Sequence, residues 1–209
     1  MSRSAPITRT RRSRIGGFSM VELGVSLTVL LILTAIAIPS LMRSLRTYQL
    51  NDAAARLSDM LKFTRFEAVR KNKQVCFLMK QSAYTWTFGT DSTGTGTACS
   101  GTLDVNGKQQ VITGIATLLL PTQSGLPGQG PICNLFKSTG PCLNDTLSGV
   151  NGGTITFDTR GAVSGLVAYV FYVGSDVDPE FGYRAVVLLP SGSTQIWTAP
   201  NGGTWQQAG

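Results

Sequence analysis

Residues 18–38 restrict the fold of this chain before anything else does: 21 mostly apolar residues in a row, carrying a single carboxylate, Glu22. As a helix the segment is about 31 Å long, which matches the hydrocarbon core of a bilayer. A carboxylate in such a span costs about 2.5–3.5 kcal/mol on insertion scales, so Glu22 needs a reason to be there. Basic residues flank the run unevenly. Arg3, Arg9, Arg11, Arg12 and Arg14 precede it, and Arg43 and Arg46 follow just after. The positive-inside rule then holds residues 1–17 in the cytoplasm and sends the body across the membrane.

Beyond the apolar run the chain stays helical but becomes amphipathic. Leu50, Ala53, Leu57, Met60, Leu61, Thr64 and Ala68 recur at three- and four-residue spacing, with Arg56, Asp59, Lys62 and Arg70 on the other faces. One helix from about 18 to 71 is expected, with a C-cap at Asn72 and a kink or local melting near Pro39. After Lys73 the period changes to two. Gln74–Lys80 and Tyr84–Phe88 read as a hairpin, and Thr154–Asp158, Ala162–Val173, Tyr183–Leu189 and Thr194–Thr198 read as later strands. Residues 90–153, rich in Gly, Thr, Ser and Pro, read as a long loop excursion. The fold class is therefore α+β: a long N-terminal helix packed on a small antiparallel sheet. The parts are a leader (1–17), the first helical half (18–45) and a body (46–209), with its amphipathic helix at 46–72 and its sheet at 74–209.

Composition narrows the chemistry. The net charge of +7 resides largely in the leader: without its five arginines, 13 basic residues face 11 acidic ones, a net of +2. Overall basicity is thus poor evidence for nucleic-acid binding. Histidine is absent, which excludes histidine-based catalytic triads and histidine-ligated metals. No active site, cofactor or metal is expected. Cys76, Cys99, Cys133 and Cys142 lie far apart, fitting two disulfides in an oxidising compartment better than zinc. Cys133 and Cys142 bracket a short Pro/Gly loop, which favours pairing them and leaves Cys76 with Cys99, although four cysteines allow three pairings.

The run Gly16-Gly17-Phe18-Ser19-Met20-Val21-Glu22-Leu23 closely resembles type IV prepilins and pseudopilins. Their hallmark is a basic leader ending in Gly, then Phe, then Glu at the fifth mature position. Three other readings compete: a secretory signal cut after Ala35-Ile36-Ala37, twin-arginine export through Arg11-Arg12, and a plain anchor. None accounts for Gly17-Phe18, Glu22 and a long unbroken helix together. The resemblance implies the pilin fold, cleavage between Gly17 and Phe18 by a prepilin peptidase, N-methylation of Phe18, and pairing of Glu22 with a neighbour's amine in a filament core. It also implies a helix-distorting Pro39, insertion in the inner membrane with a periplasmic body, and partners among other pilins, the assembly platform and the lipid bilayer.

Arg65-Phe66-Glu67-Ala68-Val69-Arg70-Lys71-Asn72-Lys73-Gln74-Val75, followed by the Trp86 strand, is similar to the GspH/FimT family. Ile155-Thr156-Phe157-Asp158-Thr159-Arg160-Gly161 fits that family's late strand. This resemblance implies a minor pseudopilin of a type II secretion system or a minor pilin of a type IV pilus, with a DNA- or surface-binding minor pilin as the alternative. Some pilus members bind DNA through a Gly-Arg-x-Arg-like element, but the matching strand here, Leu189–Ile196, has no arginine. Nucleic acid is therefore not an expected partner. Arg65, Arg70, Lys71 and Lys73 form at most a weak basic patch at a solvated helix end. Asp176-Val177-Asp178-Pro179-Glu180 reads as a solvated loop rather than a calcium site, and Tyr84, Trp86 and Phe88 read as a core stripe.

Overall fold

The computed structural model describes residues 17, 19–82, 85–93, 99–104, 107–114, 116–119, 124–128, 130–133, 144–145 and 152–208. Two compact units divide between Met42 and Arg43. Helix α1, Met20–Lys71, is 52 residues long and remains α-helical through Pro39. It is long and apolar enough to cross a membrane. Every described residue from 19 to 45 is exposed, including fifteen large hydrophobic ones from Met20 to Leu45.

From Leu50 onward the periodicity governs burial. All seven residues of the amphipathic stripe are buried, joined by Ala54, Ser58 and Glu67. The helix closes as expected at Asn72, which adopts φ 47°. The Asn72 N–H donates to the Val69 carbonyl and the Lys73 N–H to the Ala68 carbonyl, a Schellman motif that satisfies two terminal carbonyls.

The stripe packs against antiparallel strands, arranged as two sheets rather than one. The first, in the order β3-β2-β1-β6, comprises β1 (Val75–Ser82), β2 (Thr85–Asp91), β3 (Gln109–Ile112) and β6 (Gly152–Phe157). The second runs β10-β9-β8-β7-β4, from β4 (Thr117–Leu119), β7 (Tyr169–Gly174), β8 (Tyr183–Leu188), β9 (Thr194–Ala199) and β10 (Gln206–Gln207). A short β5 (Asn144–Asp145) pairs with β7 in parallel.

The excursion over 90–153 is thus more than loop. It contributes one edge strand of the first sheet, an edge strand of the second, and a short helix α2 (Gly130–Cys133). Strands β7 and β8 carry apolar side chains on both faces. Phe171, Val173, Val186 and Leu188 join the core under α1, whereas Val170, Tyr172, Ala185 and Val187 join a second core with Ile132, Trp197 and Trp205. The outer face of the second sheet therefore needs a cover, and Ile132 of α2 and the C-terminal Trp205 supply it. The Trp205 indole donates to the Pro127 carbonyl at 3.1 Å.

The strand expected over Ala162–Val173 begins only at Tyr169. The Asp158 carboxylate accepts the Arg160 and Ala162 N–H groups, and a 3-10 turn occupies Ser164–Leu166 with Gly165 at φ 82°. Local side-chain bonds thus outcompete the ladder there. The first hairpin is also longer than expected, with β1 reaching Ser82 and β2 reaching Asp91. Tyr84 lies outside the described residues, while Trp86 and Phe88 are buried as a core stripe requires.

Candidate functional site

The N-terminal segment carries the strongest sequence signal. Gly17 is exposed, and Phe18 lies outside the described residues. Glu22 stands exposed in the first turn of α1. Ser19 caps this helix: its carbonyl accepts the Leu23 N–H at 3.0 Å, and its hydroxyl oxygen lies 3.4 Å from the Val21 nitrogen. Ser19 and Glu22 thus have the spacing of a capping box, a signal the sequence reading passed over. Position changes the physics of Glu22. A carboxylate in the first turn sits at the positive end of the helix dipole, where it is favoured by about 0.3–1 kcal/mol. The insertion penalty applies in full only at mid-span.

The basic cluster at the other end of α1 is partly neutralised from within. Glu67 accepts the Arg70 Nε–H at 2.9 Å and an Arg70 Nη2–H at 2.8 Å, and Lys71 Nζ lies 3.2 Å from the same carboxylate. The bidentate Arg70 contact, then Lys71, holds the Glu67 carboxyl below its usual range despite its burial. Lys71 also donates to the Ser92 hydroxyl, and Lys73 to the Ser92 carbonyl. Arg65 packs along the turns at Gly161 and Gly192. The neighbouring cleft, about 320 Å³, is lined by Glu67 and Asp104 as well as Arg70, Lys71 and Lys108, so two carboxylates offset most of its positive charge. Lys71 and Lys73 thus hold the helix end to the segment after β2.

That loop is fastened by chemistry the sequence only partly disclosed. Cys76 and Cys99 are bridged across 23 positions. Cys133 is likewise disulfide-bonded, and Cys142 lies outside the described residues. Beside the Cys76–Cys99 bridge, Asp91 is 1% exposed and accepts four hydrogen bonds: from the Thr93 N–H and hydroxyl, the Ser100 hydroxyl and the Gly101 N–H. Burial alone would push its carboxyl up, but these donors outweigh it and the net shift is downward. Asp104 accepts the Thr90 hydroxyl and the Ser92 N–H at 3.0 Å each. Aspartates among serines and threonines read in sequence as loop polarity, and only the closed loop makes them anchors.

In the acidic segment, Asp178 pairs with Arg46, whose guanidinium also lies 5.3 Å from the Phe181 ring centroid. Among the described residues, no group of three or more His, Cys, Asp or Glu side chains gathers to hold a metal. Arg184, buried in β8, also escaped the sequence reading. A lone cation inside the apolar strand Tyr183–Leu188 was the available signal.

No family model and no curated protein sequence matches the chain. Two solved structures are similar to it, both crystal structures of the type IV minor pilin FimU of Pseudomonas aeruginosa PAO1, in different space groups. The first is 16% identical, with a TM-score of 0.45, covering 76% of this chain and 96% of that one. The second is 14% identical, with a TM-score of 0.44, covering 77% and 93% respectively. Likeness at this level carries no functional weight, and the functional reading rests on this chain's own residues.

Proposed function

We propose that the chain is a non-catalytic structural subunit of a type IV pilin-class filament: a minor pseudopilin of a secretion pseudopilus or a minor pilin. The observation that carries this reading is the division of α1. Its second half buries one apolar stripe against two sheets, while its first half exposes fifteen large hydrophobic residues behind a first-turn carboxylate. Such a surface is stable only in lipid or against other helices of the same kind. An anchor that served lipid alone would gain from Glu22 only its modest favour at the helix N-terminus, whereas a subunit moving from bilayer to filament core also uses it to neutralise a neighbour's amine. Cleavage between Gly17 and Phe18 creates that amine, and N-methylation leaves it basic. The body then lies on the periplasmic side. Pro39, which cannot donate to the ladder, is where the helix adapts to its neighbours in the filament. A DNA-binding role is disfavoured by the internal pairing of Arg70, Lys71 and Lys73.

Two measurements test the reading. Mass spectrometry of the membrane-extracted protein should find an N-terminus at methylated Phe18, and a chain beginning at Ile38 would sink the class assignment. Glu22→Ala should leave membrane insertion intact but reduce crosslinking to neighbouring pilins. Undiminished crosslinking, with normal secretion or piliation, would remove the role given to Glu22.

A further inference from the structure

Arg184 is 8% exposed, yet it has no acidic partner among the described residues. Its Nε–H donates to the Asn51 side-chain carbonyl at 2.6 Å and its Nη1 to the Tyr183 carbonyl at 3.0 Å. Both acceptors are neutral, and Nη2 has no hydrogen-bond partner among the described residues. The guanidinium is thus largely desolvated with no counter-charge, and its unbonded Nη2 is open to the adjoining cleft, where an anion could pair with it.

Space for one exists. Arg184 lines a cavity of about 710 Å³ between the start of the buried helical half and the β8–β9–β10 edge of the second sheet. Among the described residues, Arg184 is the only charged one lining it. Thr198 stands opposite Arg184 in the β8–β9 register, and Asn51 and Gln207 also line the cavity. Ile196, Ala199 and Pro200 complete an apolar wall.

We propose that this cavity is a docking site for a partner polypeptide presenting one Asp or Glu side chain, whose carboxylate pairs with Arg184. Three observations select that occupant. A single fixed cation pairs with one anionic group and does not track the repeated charge of nucleic acid. The volume far exceeds what a lone carboxylate fills. The remaining lining alternates neutral amide and hydroxyl groups with apolar surface, which suits peptide backbone flanking an acidic side chain. The site takes no part in the filament reading of α1 and stands or falls separately from it.

The test uses the full chain in detergent micelles, following the Arg184 Nε–H resonance by NMR. Four probes are titrated: acetyl-Ala-Glu-Ala-amide, its Gln counterpart, acetate and inorganic phosphate. The Glu peptide should shift the resonance saturably, with the Gln peptide binding at least about tenfold more weakly, as expected when a charge-assisted bond is lost. Acetate and phosphate should both bind more weakly than the Glu peptide. No saturable shift, or equal binding of the Glu and Gln peptides, would overturn the proposal. Phosphate or acetate binding as tightly as the peptide would reduce the cavity to a general anion site and overturn it too. Arg184→Gln should abolish the Glu-peptide preference, read from Trp fluorescence, and the four-probe comparison on the unaltered chain stands even if that variant fails to fold.

Discussion

Replacing both Cys76 and Cys99 by alanine removes a cross-link that spans 23 positions. The chain-entropy relation for a loop of that size gives about 3 kcal/mol of stabilisation, arising from restriction of the unfolded chain. The native loop should hardly notice the loss, because its ends stay fastened: Asp91 still accepts four hydrogen bonds from Thr93, Ser100 and Gly101. The double variant should therefore keep its secondary structure and its Ser100 and Gly101 amide protection while its unfolding midpoint falls. For a unit of this size, about 3 kcal/mol corresponds to roughly 6–12 °C. Calorimetry and urea unfolding of the two forms in detergent measure the loss, and hydrogen exchange reads the loop. A loss below about 1 kcal/mol would refute the unfolded-chain account. So would wholesale loss of protection at Ser100 and Gly101, which would mean that the bridge and not Asp91 holds the native loop. Adding Asp91→Asn to the cysteine pair should cost more than the two changes do separately, since both fasten one segment.

Asp91→Asn alone should cost about 1.5–3 kcal/mol at neutral pH, the range for hydrogen bonds to a charged group. The Asp91 carboxyl is depressed in the folded state. Its contribution is therefore present above the unfolded value of about 3.9 and is lost as pH falls through the lower folded value. The stability gap between wild type and Asp91→Asn should accordingly close on acidification below about pH 4, and a gap that widens there would contradict the assignment. Gly192→Ala should destabilise by about 2–4 kcal/mol in chemical denaturation, because Gly192 sits at φ 79° and a Cβ there would fall 2.0 Å from the Gly161 carbonyl oxygen. Duplex DNA should bind the body only weakly at about 150 mM salt, with a slope no steeper than about −3.6 even if Arg65, Arg70, Lys71 and Lys73 all reached phosphates. Submicromolar binding abolished by Arg70→Ala and Lys73→Ala would reverse the ranking of functions.

The long helix was legible from residues alone because helical burial is a local property. Residues three and four apart share a face whatever lies opposite, so the stripe from Leu50 to Ala68 declared its buried side without a partner. Asn72 likewise marked the helix end, since a left-handed cap depends on a single residue's tolerance of positive φ. The N-terminal run from Gly17 to Glu22 was informative for the same reason, being a contiguous pattern. What tertiary structure decided is everything that depends on which strand meets which. Gln109–Ile112 and Thr117–Leu119 are too short to read as strands until β2 and β7 supply their ladders. Ile132 and Trp205 look like stray apolar residues until the outer face of β7 and β8 needs a cover. Arg46 and Asp178 are 132 positions apart, and Arg184 and Asn51 are 133 apart. Nothing local distinguishes such residues from solvated ones, because a charge acquires its partner, or lacks one, only when the sheets close against the helix.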